Sequence, residues 1–551
     1  MAVEIILAAA RIAAATKAGL WGDRTLLDHF DAACRAAPDK VAVTGYNSSR
    51  GRTVTLSYRQ LDRLSRKAAA GLARMGVAKG DVVSAIIPNW CEFPLVHLAC
   101  LRIGAVTNPL MHILRQRELA FMLKLAQSKV LIVPRSFRDF DYPGMIAGLR
   151  PDLPDLRRVL VIDGDGDDSF EQALLQAPEQ DAASVAALFA ARRLNANEPV
   201  EILYTSGTTG EPKGVMHTSN TLLSSLAPCR RRMCLSADDV VLMASPLAHQ
   251  TGFIYGMMLA FHLGAKLVLQ DIWNAEQAAK LIADEGVSFT MASTPFLSDL
   301  SNAAGTQAHD LGSLRVFIAA GAPIPQVLVS RAETALGARI MSGWGMTENG
   351  LATVTGLDDP EDKVSRTDGR AFENMEVRVV GTAGEPLPAN AEGRLQARGP
   401  GNFVGYLKRP QFYEVDAEGW FETGDIARMD ESGFIRICGR SKDIIIRGGE
   451  NIPVIEVEQL LYRHPAVSEV AVVAKPDARL GERACAFIAL RPGCSLSFDE
   501  MSAFLAGHRI TRQYIPEYLC IVDELPHTAT GKIQKFALRQ RAQALQAQGP
   551  R

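Results

Sequence analysis

Apolar positions in the first 160 residues predict alternating helices and strands. After Ser57, a residue type that caps helices, apolar residues recur every three or four positions until Gly76. Residues 82–87 then predict a buried strand, and short apolar runs occur at residues 130–133 and 159–162. Short apolar runs separated by helical segments are typical of parallel sheets that are covered on both faces. This pattern predicts an α/β fold.

The pattern changes twice in the last third of the chain. Residues 375–438 contain short alternating segments with glycine-rich turns, which predict a small antiparallel β subdomain. Beyond residue 450, two helix-like and three strand-like segments predict a separate α+β unit. We therefore predict a large N-terminal domain, residues 1–440, with doubly covered mixed sheets plus the antiparallel subdomain, and a smaller C-terminal domain, residues 441–551.

Length and composition agree with this organisation. A chain of 551 residues is too long for one hydrophobic core, so two or more domains are expected. The formal net charge of −2 provides no general attraction to nucleic acid or to an anionic membrane. The nine cysteines include no Cys-x-x-Cys pair and no cluster with histidine, so we predict neither a zinc site nor a disulfide framework, and we expect a cytoplasmic protein.

The alanine-rich stretch of residues 3–15 could be mistaken for a targeting or membrane segment. Glu4 and Arg11 interrupt it, and it is too short to span a bilayer. We predict a helix there and no transmembrane segment, while its composition leaves an organellar transit peptide open.

The stretch from Tyr204 to Gly214 has the chemistry of a polyphosphate cradle. It follows an apolar strand-like run and precedes a segment that favours a helix. Glycines let successive N–H groups turn toward an anion, hydroxyls add neutral donors, and a lysine adds positive charge. The residues concerned are Thr205, Ser206, Gly207, Thr208, Thr209, Gly210, Lys213 and Gly214. Their spacing does not fit the P-loop pattern, so the stretch predicts an ATP user of another class, with an unliganded polar loop as the alternative.

This stretch resembles the phosphate loop of the adenylate-forming, or AMP-binding, superfamily, which includes acyl-CoA synthetases, luciferases and peptide-synthetase adenylation domains. Residues 341–350 resemble the Tyr/Trp-Gly-x-Thr-Glu motif of that family. The resemblance implies that Trp344 lies against adenine, that Thr347 hydrogen-bonds a phosphate and that Glu348 holds Mg²⁺. It also implies nucleotide contacts for the neighbouring residues Gly343, Gly345 and Met346 and for the adenine-flanking turn of Gly321, Ala322 and Pro323.

Motifs nearer the C-terminus complete the resemblance. Asp425 matches the aspartate that accepts hydrogen bonds from the ribose hydroxyls, and Arg440 matches the arginine that contacts ribose and phosphate. Lys442 matches the hinge of a mobile C-terminal domain, and Lys532 matches the adenylation lysine. In the family, rotation about the hinge withdraws that lysine and brings another face to the site, here the face with Gly448 and Gly449, which would leave room for a thin pantetheine tunnel.

Residues 246–252 resemble the segment that lines the family's carboxylate pocket. His249 matches the gating aromatic position. Amino-acid-activating relatives commonly carry an acidic residue just after this point, but Phe253, Ile254 and Tyr255 stand here. Because an ammonium group buried against these residues would be unpaired, an apolar carboxylic acid is favoured.

The resemblance as a whole implies an ATP-dependent acyl-CoA ligase. A carboxylate attacks the α-phosphate of ATP, pyrophosphate leaves, and the thiol of CoA then displaces AMP from the acyl-adenylate. Catalysis is assigned to Lys532, Thr205, Glu348 and His249, with Thr205 joining Glu348 at Mg²⁺. ATP and Mg²⁺ are the implied cofactors, and CoA is a co-substrate.

Substrate and acceptor stay open at this stage. Short- or medium-chain fatty, alicyclic and aromatic acids are candidates, and residues 103–111 together with residues 117–123 resemble short-chain fatty acyl and cyclohexanecarboxylate ligases. The alternatives are an acyl-AMP ligase that loads a carrier protein, a non-catalytic nucleotide-binding protein and a luciferase-type oxygenase. No nucleic-acid partner is predicted. The oligomeric state is not fixed by the sequence, and a homodimer is one assembly that we consider.

Overall fold

The structure is a computed structural model, and its elements are numbered here along the chain. It describes residues 3–176, 181–205, 212–303, 308–321, 324, 326–440, 445–447, 450–477, 479–508, 510, 512–528 and 532–545.

Two mixed sheets form the larger part of the protein. The nine-stranded sheet contains β1 (Val41–Asn47), β2 (Arg52–Ser57), β11 (Val240–Met243), β12 (Lys266–Gln270), β13 (Phe289–Ala292), β14 (Val316–Ala320), β15 (Arg339–Met346), β16 (Gly350–Val354) and β17 (Arg370–Ala371), in the order β17-β16-β15-β14-β13-β11-β12-β1-β2. The six-stranded sheet contains β3 (Val82–Ala85), β4 (Val106–Pro109), β5 (Val130–Pro134), β8 (Arg158–Ile162), β9 (Pro199–Thr205) and β10 (Lys213–Thr218), in the order β10-β9-β4-β3-β5-β8. Neighbouring strands are parallel inside both sheets, and antiparallel strands lie at the edges.

Three smaller sheets accompany them. A four-stranded antiparallel sheet contains β18 (Glu376–Val380), β19 (Gly393–Arg398), β20 (Phe421–Met429) and β21 (Ile435–Arg440). The C-terminal sheet contains β22 (Ile445–Arg447), β23 (Glu450–Ile452), β24 (Val467–Asp477), β25 (Gly481–Leu490) and β26 (Tyr518–Val522), the last parallel to β25. A two-stranded ribbon consists of β6 (Ser136–Phe137) and β7 (Phe140–Asp141).

Helices connect and cover these sheets. In the larger part they are α1 (Ala9–Lys17), α2 (Leu26–Ala36), α3 (Tyr58–Arg74), α4 (Glu92–Ile103), α5 (Gln116–Ala126), α6 (Tyr142–Leu149), α7 (Ala182–Arg192), α8 (Ser219–Arg232), α9 (Leu259–Leu263), α10 (Ala275–Glu285), α11 (Thr294–Asn302), α12 (Gln326–Leu336) and α13 (Glu361–Arg366). In the C-terminal part they are α14 (Val454–Tyr462), α15 (Phe498–Gly507) and α16 (Lys535–Ala544). The largest apolar core joins both large sheets, and the C-terminal sheet has cores of its own.

The predicted fold class is confirmed, and α3 shows why local signals were sufficient there. The Ser57 side chain accepts a hydrogen bond from the Gln60 N–H, and the Gln60 side chain accepts one from the Ser57 N–H. This capping box satisfies two N–H groups that the helix leaves without partners at its start.

In the described part of the chain, the longest helices are too short or too polar to cross a membrane.

Two predicted elements need correction. The helix predicted for residues 3–15 begins at Ala9, because the Ile6 N–H donates to the Val404 carbonyl at 2.7 Å and holds the preceding segment against the chain there. The phosphate stretch lies between two antiparallel strands and not between a strand and a helix, because residues 213–218 form β10 beside β9. Strand β10 is then followed directly by α8.

Candidate active site

Strands β9 and β10 form a hairpin that carries the predicted phosphate loop at its tip. Thr205 and Lys213 are directly opposite each other at the mouth of the loop. The Lys213 ammonium lies 4.4 Å from the ring centroid of Phe412 and 4.9 Å from that of Tyr406, which are cation–π distances. The aromatic rings therefore hold this positive charge at the hairpin. Ser206, Gly207, Thr208, Thr209 and Gly210 lie outside the described residues.

A segment leading into the antiparallel sheet covers the free edge of β10. The Val404 N–H donates to the Met216 carbonyl at 3.0 Å, and the Met216 N–H donates to the Gly405 carbonyl at 3.1 Å. The Leu407 N–H donates to the Gly214 carbonyl at 2.8 Å. These bonds satisfy backbone groups that an edge strand would otherwise leave open, and they fix the hairpin to the antiparallel sheet.

Glu348 is a buried carboxylate held by a phenol. The Tyr406 hydroxyl donates to Glu348 Oε1 at 2.8 Å, and both side chains are only 5% exposed. Burial and the charge of Glu348 raise the pKa of Tyr406 above its ordinary value, so the phenol stays a neutral donor. Glu348 thus presents a fixed oxygen ligand, of the hard type that Mg²⁺ prefers.

Thr347 is fixed through its backbone by a neutral histidine. His217, on β10, places Nε2 2.7 Å from the Thr347 carbonyl and Nδ1 2.9 Å from the Thr221 hydroxyl. Because a carbonyl oxygen only accepts, Nε2 carries the proton. Burial lowers the pKa of His217 to about 4, which favours this neutral form. The hairpin and the predicted phosphate-binding threonine are thereby joined.

Trp344 and Asp425, predicted to contact adenine and ribose, touch each other. The indole Nε1 of Trp344, on β15, donates to Asp425 Oδ2, on β20, at 2.8 Å. Both residues are more than nine-tenths buried. Arg440, at the end of β21, is opposite Asp425 across the strand pair. The structure therefore brings the predicted adenine-side and ribose-side residues into one corner.

The glycines beside Trp344 have a packing role. A Cβ atom at Gly345 would lie 2.1 Å from the Gly350 carbonyl oxygen, and one at Gly343 would lie 2.9 Å from Leu351 Cδ1. The contact at Gly345 is with the backbone and is closer than any side chain tolerates, so β15 and β16 approach each other at this point only because the position is glycine. The N–H of Met346 donates to Asn349 Oδ1 at 3.1 Å and closes the turn between the two strands.

Lys532 reaches this site from the C-terminal part of the chain. Its loop is closed by the Thr528 N–H, which donates to the Lys532 carbonyl at 2.7 Å, and by the Lys532 N–H, which donates to Thr528 Oγ1 at 3.1 Å. A Cβ atom at Gly321 would lie 2.8 Å from Lys532 Cε and 3.2 Å from its ammonium nitrogen. Gly321 has φ +86°, at the end of β14. The lysine thus lies against the predicted adenine-flanking turn, of which Ala322 and Pro323 are outside the described residues.

His249 is buried and neutral. Burial, together with the charge of Lys532, lowers the pKa of His249 to about 3. The Thr251 N–H donates to His249 Nδ1 at 3.3 Å, which agrees with an unprotonated nitrogen at that position. His249 is therefore an uncharged group within the electrostatic reach of the Lys532 ammonium.

Some predicted residues are not described, and two unpredicted ones are important. Lys442, Gly448 and Gly449 lie outside the described residues, as does the side chain of Arg440. Tyr406 and His217 were missed, because single aromatic and histidine residues carry no local sequence signal. Their position could be found only from the pairing of residues 404–407 and 213–218.

Comparisons with known proteins agree with this geometry. The chain matches a sequence profile of AMP-binding enzymes over residues 30–407 and one of the AMP-binding enzyme C-terminal domain over residues 456–532. It is 38% identical over 542 residues to a medium-chain fatty-acid–CoA ligase of Escherichia coli, covering 98% of this chain and 94% of that protein. Its fold is similar to that of the anthranilate CoA ligase AuaEII in complex with anthranoyl-AMP, with a TM-score of 0.84 and 25% identity over 96% of this chain and 99% of that one. ATP-bound MatB from Rhodopseudomonas palustris gives a TM-score of 0.81 and 25% identity, over 94% and 99% of the two chains.

Proposed function

Because the chain belongs to the family of AMP-binding enzymes, as an acyl-CoA synthetase, we propose that it activates a medium-chain fatty acid with ATP and transfers the acyl group to CoA. The acid attacks the α-phosphate, giving acyl-AMP and pyrophosphate. The CoA sulfur then attacks the acyl carbon, giving the thioester and AMP. The 38% identical relative from Escherichia coli, a medium-chain fatty-acid–CoA ligase, supports this substrate class.

The position of Lys532 is the observation that carries the proposal. Its side chain lies against Gly321, and its charge helps to lower the pKa of His249, the residue assigned to the carboxylate pocket. Negative charge accumulates on phosphorus oxygens during adenylation, so a positioned ammonium stabilises the transition state without a covalent nucleophile. We assign Lys532 to bridging the substrate carboxylate and the α-phosphate.

The segment after His249 supports an apolar acid. Phe253, Ile254 and Tyr255 are all at most 2% exposed. The Tyr255 hydroxyl accepts a hydrogen bond from the Leu351 N–H, so its polar end is already occupied. A substrate ammonium would find no acidic partner in this segment, whereas an alkyl chain loses nothing by the absence of charge.

The residues present fit a magnesium ion brought by ATP. Mg²⁺ is commonly held by one or two carboxylates together with phosphate oxygens and water. Glu348 supplies a buried carboxylate fixed by Tyr406, and Thr205 stands at the mouth of the phosphate hairpin. Clusters of three or more metal-binding side chains are absent from the described part of the chain, which agrees with a metal that depends on the nucleotide for its other ligands. When bound, Mg²⁺ would neutralise phosphate charge.

The test is to measure the two half-reactions separately. We expect the purified protein to release pyrophosphate with octanoate and ATP, and to convert octanoate to octanoyl-CoA when CoA is added. Lys532→Ala should abolish pyrophosphate release but still form thioester from supplied octanoyl-AMP, because the second step needs no new bond to phosphorus. A matched control is Lys535→Ala, whose ammonium is paired with Glu458 at 2.7 Å.

Each alternative gives a different result in the same assay. A carrier-protein ligase would release pyrophosphate but would not consume free CoA. A non-catalytic nucleotide-binding protein would bind ATP without releasing pyrophosphate for any acid. Equal loss of both half-reactions in Lys532→Ala would refute the role assigned to that lysine. A preference for benzoate-type acids over octanoate would replace the medium-chain assignment with an aromatic one.

A further inference from the structure

Arg11, on α1, is a half-buried positive charge to which the reaction described above gives no role. Its guanidinium has carbonyl oxygens and a phenol as hydrogen-bond partners, and among the described residues none of those partners is a carboxylate. Taking a charge out of water is costly unless polar groups replace the water. The neutral acceptors that the fold brings to Arg11, from 391 to 402 positions along the chain, therefore require an explanation.

The guanidinium binds one turn of the chain at two successive carbonyl groups. Its Nη1 donates to the Phe403 carbonyl at 3.1 Å, and its Nη2 donates to the Asn402 carbonyl. The Tyr413 hydroxyl accepts a further bond from Nη1 at 3.4 Å. Because a guanidinium is a planar fork of fixed donors, arginine spans the two carbonyls at once, which the single ammonium of a lysine does less well. Arg11 therefore fixes the turn that leads into residues 404–407.

The same turn holds Glu348 through both its backbone and its side chain. The Phe403 N–H donates to the Glu348 carbonyl at 2.7 Å, and the Tyr406 hydroxyl donates to Glu348 Oε1 at 2.8 Å. The rings of Phe403 and Tyr406 pack edge to face, with their centroids 4.8 Å apart. The position of the Glu348 carboxylate therefore depends on where this turn lies.

We propose that Arg11 is a positioning residue, which holds the turn of residues 402–406 so that Phe403 and Tyr406 keep Glu348 in place for Mg²⁺. This inference rests on the function proposed above and adds to it a residue from the first helix. Arg11 acts through the turn, because its own hydrogen bonds go to the turn and to Tyr413. Groups that orient a metal ligand without touching the metal typically change metal affinity or activity about 10- to 100-fold when they are removed.

The N-terminal segment has other anchors, so a change at Arg11 can be confined to the turn. The Ile6 N–H donates to the Val404 carbonyl at 2.7 Å, and the indole Nε1 of Trp21 donates to Ser224 Oγ at 3.1 Å. Three further side chains of the segment pack against the apolar cluster beside the hairpin: Val3, Ile5 and Leu7. Loss of the guanidinium should therefore loosen the turn while the segment stays attached.

Two variants of Arg11 test the proposal by activity. Arg11→Met keeps an apolar stem but removes every donor, whereas Arg11→Lys keeps the charge without the fork. With octanoate and ATP, we expect pyrophosphate release to slow about 10- to 100-fold in Arg11→Met and by a smaller factor in Arg11→Lys. The Mg²⁺ concentration for half-maximal rate should rise about tenfold in Arg11→Met, while the KM for octanoate should stay within about twofold of the parent value. The matched control is Lys17→Met, which removes an exposed charge from the same helix.

Two measurements provide readouts that do not depend on activity. The first is calorimetric binding of ATP in excess Mg²⁺ and in EDTA: the gain in affinity that Mg²⁺ provides should be about tenfold smaller in Arg11→Met than in the parent protein. The second is hydrogen exchange of the peptide containing residues 399–408, whose protection should fall in Arg11→Met and be retained in Lys17→Met. A parent protein that shows both effects yet releases no pyrophosphate with any acid would refute the proposed function and leave this inference standing.

Several outcomes would overturn the inference. One is an Arg11→Met protein with a lower melting temperature but the Mg²⁺ dependence of the parent, since Arg11 would then be a stabilising contact alone. Another is a rise in the KM for octanoate as large as the rise in the Mg²⁺ requirement, which would indicate general damage to the site. If Arg11→Met does not fold, Arg11→Lys decides, and a parent-like Mg²⁺ dependence in that variant would end the proposal.

Discussion

Substitution of Gly321 by alanine tests whether the observed contact with Lys532 is the working position of that lysine. The new Cβ atom would lie 2.8 Å from Lys532 Cε, whereas ordinary contacts begin near 3.4 Å. The end of a lysine side chain can withdraw, so the protein should fold with the ammonium displaced by about 1 Å. Because a displacement of that size can cost about 100-fold in rate, we expect adenylation to slow about 10- to 100-fold, or about 1.4 to 2.7 kcal/mol in barrier.

The cost of placing alanine in the backbone conformation of Gly321 can be measured separately with a matched control. Gly321 has φ +86°, and alanine in that region costs about 1–2 kcal/mol. Gly384 has φ +88°, and a Cβ atom there would meet nothing within 4 Å. Gly384→Ala should therefore lose a similar free energy of unfolding while adenylating at the parent rate.

The assay is pyrophosphate release with octanoate and ATP, compared with thioester formation from supplied octanoyl-AMP. Gly321→Ala should be slow in the first and close to the parent protein in the second. The reasoning is refuted if Gly321→Ala and Gly384→Ala adenylate equally fast. It is also refuted if both half-reactions slow to the same extent in Gly321→Ala, because the cause would then be general damage to the site.

Two further predictions concern the nucleotide corner and the pH dependence of stability. Trp344→Phe keeps an aromatic ring but removes the hydrogen-bond donor to Asp425, and a bond of this kind to a charged group contributes about 1.5–3 kcal/mol. The KM for ATP should therefore rise about tenfold or more, while the KM for octanoate should change little. Equal changes in both KM values would contradict the assignment. The pKa of fully buried His97 is lowered from 6.5 to about 3, so below pH 6.5 the unfolded chain binds a proton that the folded protein does not. The contribution of His97 to the free energy of unfolding is fully present above pH 6.5 and decreases as the pH falls, by about 2 kcal/mol at pH 5. Denaturant unfolding at pH 7 and pH 5 should show that the free energy of unfolding of His97→Gln falls less between the two pH values than that of the parent protein. Equal decreases in the two proteins would contradict this account.

The sequence predicted those elements whose signals are local. The capped helix after Ser57 and the strands at residues 130–133 and 159–162 follow from side-chain period and capping chemistry, which act within a few residues. The strand at residues 213–218 was missed because its pairing with β9 is a tertiary contact and its polar ends obscured the pattern.

The residues of the candidate site also differ in whether the sequence alone could identify them. Residues in motifs, such as Trp344 and Lys532, could be identified from the order of motifs along the chain. Tyr406 could not, because its importance comes from a partner 58 positions away, in the bond to Glu348. The mutual contact of Trp344 and Asp425 likewise depends on how the antiparallel sheet packs against β15.

The bonds between residues 404–407 and the edge of β10 bear on how the protein could open and close. Three backbone hydrogen bonds tie that segment to the hairpin, a fourth joins it to Ile6, and the Phe403 N–H donates to the Glu348 carbonyl at 2.7 Å. Relative sliding of the hairpin and this segment would break the three bonds between them together, at about 1 kcal/mol each. We expect these parts to travel as one rigid block. Any swivel that delivers and withdraws Lys532 is then confined to the chain beyond Arg440, where the hinge was predicted.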